Sequence, residues 1–204
     1  MAVNNLVFDI GNVLLKWAPK DIIRTTFTDH IDQVTLVEDI FKSPIWYDLN
    51  KGKYTEQQAI SLYHKSTGIE QTLLMQLMHN VKTSLIPIEG SFELLDQLYK
   101  KNIPLYCITD NINEIMVYLK TKYDFLTKFK DVVVSADIGS LKSDERIFLH
   151  FLAKNKLKAE NCIFIDDHEP NIEVAKNIGF KTILFTTSKD CTKQLATILK
   201  LVST

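Results

Sequence analysis

The stretch Leu6-Val7-Phe8-Asp9-Ile10-Gly11-Asn12-Val13-Leu14-Leu15 sets a single carboxylate inside an apolar run. Val7, Phe8, Ile10, Val13 and Leu14 favour burial and Asp9 does not, since an ionised carboxylate without partners costs several kcal/mol in such surroundings. Asp9 must therefore meet a cation or a set of N–H donors, or the strand must end at it. A buried strand that closes on an Asp, followed by Gly and Asn, describes a loop at the carboxyl edge of a parallel sheet, where α/β folds place their sites. The same residues also fit an Asp that merely caps a turn.

The chain of 204 residues is long enough for one sizeable core, or a core with a small second domain. Hydrophobic residues make up 46% and charged residues 24%, the balance of a soluble globular protein. A net charge of −1 with no basic block argues against nucleic acid as a partner. The apolar run at 6–15 is too short to span a bilayer and lacks the basic flank of a secretory signal, so no membrane association is expected. Cys107, Cys162 and Cys191 are far apart in sequence and form no Cys-x-x-Cys pair. They read as small hydrophobes in a reducing, cytoplasmic setting rather than as a zinc or redox site. Oligomeric state leaves no trace in the sequence.

Four more short apolar runs follow, at Pro104–Ile108, Asp131–Ser135, Cys162–Ile165 and Lys181–Phe185. Each reads as a strand buried on both faces. Amphipathic stretches of helical period separate them: 91–101, 143–154 (with Ser143 as N-cap) and 169–178, the last closed by Gly179. Alternating strands and helices predict a Rossmann-like parallel sheet of the α/β class. Residues 17–85 break the alternation. They contain no strand run and read as helices at 20–27, 34–41, 55–65 and 70–82, with Thr55 to Gln58 as a capping start. The expected organisation is a core of 1–16 and 86–204 and an all-helical insertion of 17–85. Inserted after the first strand, it would lie over Asp9 as a lid.

The residues that close the strand runs share a chemistry. The first ends in Asp9, the second in Thr109-Asp110-Asn111, the third leads to Lys142, and the fourth ends in Asp166-Asp167. Singly, these are ordinary turn and cap residues. In a parallel sheet their carboxyl ends converge on one crevice. Asp9, Asp166 and Asp167 would bring three negative charges there; a divalent cation together with Lys142 neutralises them. With oxygen donors and no His/Cys cluster, the cation is a hard one such as Mg²⁺.

With these motifs in order, the sequence resembles the haloacid dehalogenase superfamily of phosphohydrolases, in the form that carries a helical cap after the first strand. The carrying residues are Phe8 to Leu14, Ile108 to Asn111, Ser135 through Gly139 to Lys142, and Phe164 to Asp167 with Asn171, Ala175 and Gly179. The subgroup it resembles most includes sugar-phosphate phosphatases of the glucose-1-phosphatase type and the phosphatase domain of epoxide hydrolases. The resemblance implies a Mg²⁺-dependent phosphatase acting on a small phosphate monoester, such as a sugar phosphate. Asp9 would be the nucleophile that becomes an aspartyl-phosphate. Asp9, the Gly11 carbonyl, Asp166 and Asp167 would hold Mg²⁺. Thr109, Asp110 and Asn111, with the backbone at Ile10 and Gly11, would bind the phosphoryl group, and Lys142 would neutralise charge on the nucleophile and the transferring group.

Two departures stand out. Most phosphatases of this superfamily carry a second Asp two residues after the nucleophile, as the general acid; here Gly11 stands there. Loss of that acid is worth roughly 10²–10⁴ in rate. A good leaving group such as an anomeric or acyl phosphate, a substitute donor from the cap or His168, or a silent binding protein on the same fold would each account for it. The second departure is Ser143, where the family usually has Pro. Dehalogenation is disfavoured by the paired acids Asp166-Asp167. A receiver domain carries its acidic pair after the first strand, and a dinucleotide site needs a Gly-x-Gly-x-x-Gly turn that is absent. Trp46, Tyr47, Lys51 and Lys53 read either as substrate contacts or as core aromatics beside a solvated turn. His30, His64, His79 and His150 read as surface or boundary residues.

Overall fold

Residues 5–28 and 32–199 are described by the computed structural model; His30 lies outside them. Five parallel strands form one sheet in the order β3-β2-β1-β4-β5. They are β1 (Asn5–Phe8), β2 (Leu105–Thr109), β3 (Asp131–Val134), β4 (Cys162–Asp166) and β5 (Lys181–Leu184). The helices in chain order are α1 (Pro19–Thr26), α2 (Gln33–Phe41), α3 (Pro44–Asn50), α4 (Glu56–Thr67), α5 (Gln71–Thr83), α6 (Ser91–Lys100), α7 (Asn113–Lys122), α8 (Ser135–Ile138), α9 (Glu145–Asn155), α10 (Glu169–Ile178) and α11 (Ser188–Ile198). Among the described residues, no helix is long and apolar enough to cross a membrane.

The side-chain alternation of a strand sorts the core into two layers. Leu6, Phe8, Leu105, Cys107, Ile163 and Ile165 face a layer that includes Leu94 and Leu95 of α6, Leu119 of α7 and Leu195 of α11. Val7, Tyr106, Ile108, Cys162 and Phe164 face the other, with Ile147, Phe148 and Phe151 of α9 and Ile172 and Ala175 of α10. β1, β2 and β4 are therefore buried on both faces, as expected. β5 is not: Lys181 and Leu184 are exposed, because it is an edge strand with a neighbour on one side only.

The segment between β1 and α6 is helical, as its periodicity predicts. Thr55 and Gln58 close both arms of a capping box at α4, at 3.3 and 2.9 Å. The sequence suggests only a solvated turn beside Trp46 to Lys53, but a helix, α3, forms there, with Ser43 as its cap and Pro44 in its first turn. Its apolar residues Trp46 and Leu49 join Ile40, Phe41, Ile60, Tyr63, Leu74 and Leu77 in a core continuous with one face of the sheet. The chain enters and leaves this segment side by side. Lys16 N donates to Ile86 O at 2.8 Å, and Ile88 N to Leu14 O at 3.0 Å.

One helix start is corrected. Ser143 does not cap α9; the Asp144 side chain accepts from Arg146 N at 2.9 Å instead. A turn closed by Asp144 N on Leu141 O keeps Ser143 out of the cap position. Gly179 ends α10 at φ +103°, in the left-handed region that glycine tolerates best.

Phe148 is fully buried against Phe164 (ring centroids 5.1 Å apart) and Phe180 (5.7 Å), both nearly edge-on. Truncation removes all of these contacts in a close-packed layer, so Phe148→Ala should cost about 3–5 kcal/mol in urea unfolding. A loss below about 1 kcal/mol would mean that this layer closes over the hole.

Candidate active site

The sheet order turns back at β1, whose neighbours β2 and β4 lead away in opposite directions. That switch point opens a crevice at the carboxyl ends of β1 and β4. The register pairs Phe8 with Ile165, so the next residues, Asp9 and Asp166, lie side by side across it. Asp9 N donates to Ile165 O at 2.9 Å, which fixes the backbone of the first acid to the strand that carries the second.

Lys142 enters between them. Its Nζ lies 2.6 Å from Asp9 Oδ2 and 2.7 Å from Asp166 Oδ2, and all three side chains are nearly or wholly buried. Asp110 Oδ1 accepts from Lys142 N at 2.9 Å and anchors the backbone that delivers the ammonium. Asp166 is further held by His168 N at 2.8 Å and by Asn171 Nδ2 at 3.2 Å to each oxygen. Burial raises the Asp9 carboxyl above its usual range; Lys142 counters this, and Asp166 adds to it. Burial alone would lower Lys142, but the carboxylates of Asp9, Asp166 and Asp110 outweigh it and hold the ammonium above its usual value. Asp167 is raised mainly by burial, against a hydrogen bond from Asn12.

One cation among this many carboxylates leaves the crevice negative. Asp9, Asp166 and Asp167 each offer an oxygen, all within 4.8 Å of one another, a set suited to a hard divalent ion.

The loop after Asp9 is a tight coil. Ile10 O accepts from Leu14 N and from Leu15 N, each at 2.9 Å. Asn12 sits at φ +49°, which Asn tolerates better than most residues, and its Oδ1 accepts from Trp17 N at 2.9 Å. A Cβ at Gly11 would meet only Trp17 Cβ, at 3.9 Å, so the position has room for a side chain.

Above the crevice lies a cavity of about 360 Å³. Asp9, Ile10, Gly11, Asp110, Asn111, Lys142 and Asp167 line it, while Asp166 is buried beneath. Thr109 closes β2 and is buried, and it is not among the lining residues. Trp46 and Tyr47 reach the cavity; Lys51 and Lys53 do not, and Lys53 pairs with Asp48 at 2.9 Å. His168 stands at the cavity wall, exposed, and His64 Nδ1 bonds Ile69 O at 2.7 Å near the end of α4.

Sequence reasoning did not single out Asn12, Trp17 or Phe41, and it quoted Asn171 and Ser135 without giving either a role at the site. Asn171 had a signal, five residues after Asp166 in the first turn of α10. Trp17 and Phe41 had none, because the fold alone brings them to the cavity.

The haloacid dehalogenase-like hydrolase family matches residues 48–185. The chain belongs to this family. It is 25% identical over 201 residues to the drimenol cyclase drtB of Aspergillus calidoustus, covering 96% of this chain and 36% of that protein. It thus spans about a third of the cyclase's length. It is 24% identical over 184 residues to the sesquiterpene phosphatase astK of Aspergillus oryzae, covering 89% of each. In fold it is similar to a HAD family enzyme of Bacteroides thetaiotaomicron in complex with magnesium and inorganic phosphate. That match has a TM-score of 0.79 at 18% identity, over 95% of this chain and 99% of that one.

Ser135, fully buried at the end of β3, ties the helical segment to the strand ends. Its Oγ donates to Asn50 O at 2.6 Å and accepts from Asn111 N at 2.9 Å. Ser135→Ala leaves the Asn50 carbonyl and the Asn111 N–H without this partner and should cost about 1–3 kcal/mol in thermal or urea unfolding. An unchanged midpoint would show that water replaces the hydroxyl.

Proposed function

We propose that this hydrolase is a phosphatase that transfers the phosphoryl group of a small phosphate monoester to Asp9 and then to water. The observation that carries the reading is the gathering of Asp9, Asp166 and Asp167 at the sheet's switch point, with the buried Lys142 ammonium between the first two. The Asp9, Asp166 and Asp167 carboxylates, with the Gly11 carbonyl, form an all-oxygen set that fits Mg²⁺. Bound there, the ion would draw charge from the phosphoryl oxygens.

In the first step an Asp9 oxygen bonds to phosphorus and the ester oxygen leaves with its electron pair. Lys142 sits against Asp9 and offsets the charge of the transferring group. Asn111 and the backbone N–H groups after Asp9 orient that group; Thr109, buried behind the lining at the end of β2, would have to be uncovered to reach it. In the second step water bonds to phosphorus, Asp9 departs as a carboxylate, and inorganic phosphate leaves. Residues 17–85 act as a cap that keeps bulk water from the acyl-phosphate. Support also comes from the similarity to a sesquiterpene phosphatase and to a fold solved with magnesium and phosphate.

Gly11 favours a second reading, a phosphate-binding protein without turnover, because glycine has no proton to give. The two readings part in one assay. A panel of phosphate monoesters and acetyl phosphate with Mg²⁺ should show hydrolysis that EDTA abolishes. Asp9→Asn should lower kcat by roughly 10³-fold or more while leaving the circular dichroism spectrum intact. No hydrolysis of any member, with no trappable aspartyl-phosphate, would leave the binding protein standing.

The space at Gly11 supplies a further check. Gly11→Asp introduces a carboxyl into open room beside the nucleophile and should raise kcat for esters of high-pKa alcohols by about 10²-fold. Acetyl phosphate, whose leaving group needs no proton, should gain little. Equal gains on both would mean that the new side chain acts on binding.

A further inference from the structure

We infer that the alcohol part of the substrate is apolar, held against an aromatic wall that lines the same cavity as the reacting carboxylate. The inference rests on the phosphatase reading and narrows its substrate class from the sugar phosphate that the sequence resemblance implied. The polarity of the cavity is divided. Each carboxylate and ammonium on its wall (Asp9, Asp110, Lys142 and Asp167) belongs to the strand-end cluster. Away from that cluster Trp17, Phe41, Trp46, Leu85, Ile115 and Leu141 give a hydrocarbon surface, and the polar groups that remain are the Tyr47 hydroxyl, His168 and four Asn side chains. Trp17 and Trp46 stack with centroids 5.7 Å apart and planes 12° apart. Phe41 meets both edge-on, at 5.3 and 5.0 Å, which fixes the wall in place.

The amides that reach the cavity are partly spent on the protein. Asn12 Oδ1 accepts from Trp17 N, Asn50 Nδ2 donates to Trp46 O at 2.9 Å, Asn111 Oδ1 accepts from Ile112 N, and Asn171 Nδ2 is held by Asp166. A sugar would press several hydroxyls against hydrocarbon, and each one left unpaired would weaken binding by roughly tenfold or more. A ring or hydrocarbon chain would instead gain from every buried carbon.

The test holds the leaving group constant while the apolar surface grows. Phenyl phosphate and its 4-methyl to 4-hexyl derivatives are compared, with Mg²⁺ present, against glucose 1-phosphate and acetyl phosphate. kcat/KM should climb by roughly threefold per added methylene until the cavity fills, and it should exceed that for glucose 1-phosphate. Trp46→Ala and Ile115→Ala, which strip the wall at two separate helices, should each flatten that climb; either one that folds suffices. Hydrolysis of acetyl phosphate with a flat alkyl series, or with glucose 1-phosphate preferred, overturns the apolar substrate and leaves the phosphatase. Failure to hydrolyse any of them overturns both.

Discussion

A single buried ammonium holds the site together. Lys142 lies between Asp9 and Asp166 at 2.6 and 2.7 Å, away from bulk water, and neither acid could stay ionised in that position without it or another cation. Each of the three is fixed by a separate part of the fold. Asp9 hangs from β1 by its backbone bond to β4, Asp166 is the last residue of β4, and Lys142 is delivered by a loop that Asp110 anchors from the end of β2. The sheet exists before the site, and the site is what three strand ends have in common.

This arrangement explains why charge is concentrated so unevenly. Burying two carboxylates against one amine costs free energy unless every remaining lone pair is met, and Asn171 and His168 N meet those of Asp166. Excess negative charge is left over, and a divalent cation is the simplest group that answers it. The aromatic wall lines the same cavity. On the proposed reading, a substrate in this cavity would turn its phosphoryl group toward the acids and its carbon skeleton toward Trp17, Trp46 and Phe41.

Much of this was legible in the sequence, for a physical reason. A carboxylate at the end of a buried strand is costly enough to be conspicuous, so Asp9 and Asp166 announce themselves, and the apolar runs around them fix β1 and β4 to within a residue or two. Other parts carried no such signal. α3 has only seven residues, too few to show a helical period. α7 presents Val117 to solvent, which blurs its pattern. Whether a strand is central or at an edge depends on its neighbours, so β5 looked like a buried strand and is not. The cavity wall was the least legible, since Trp17, Phe41, Leu85 and Ile115 meet only through the tertiary fold.

The paired backbone at 14–16 and 86–88 has a bearing on how such a molecule can change. Lys16 with Ile86 and Leu14 with Ile88 pin the two ends of the helical excursion together beside the loop that follows Asp9. Loop-closure entropy grows only slowly with length once the ends are fixed. Lengthening or shortening the excursion between those pins therefore changes its closure entropy little, the packing of the exchanged residues decides the cost, and β1 and β4 still hold Asp9 beside Asp166. One chemistry can thereby be offered to new molecules by rewriting a single contiguous stretch of the gene.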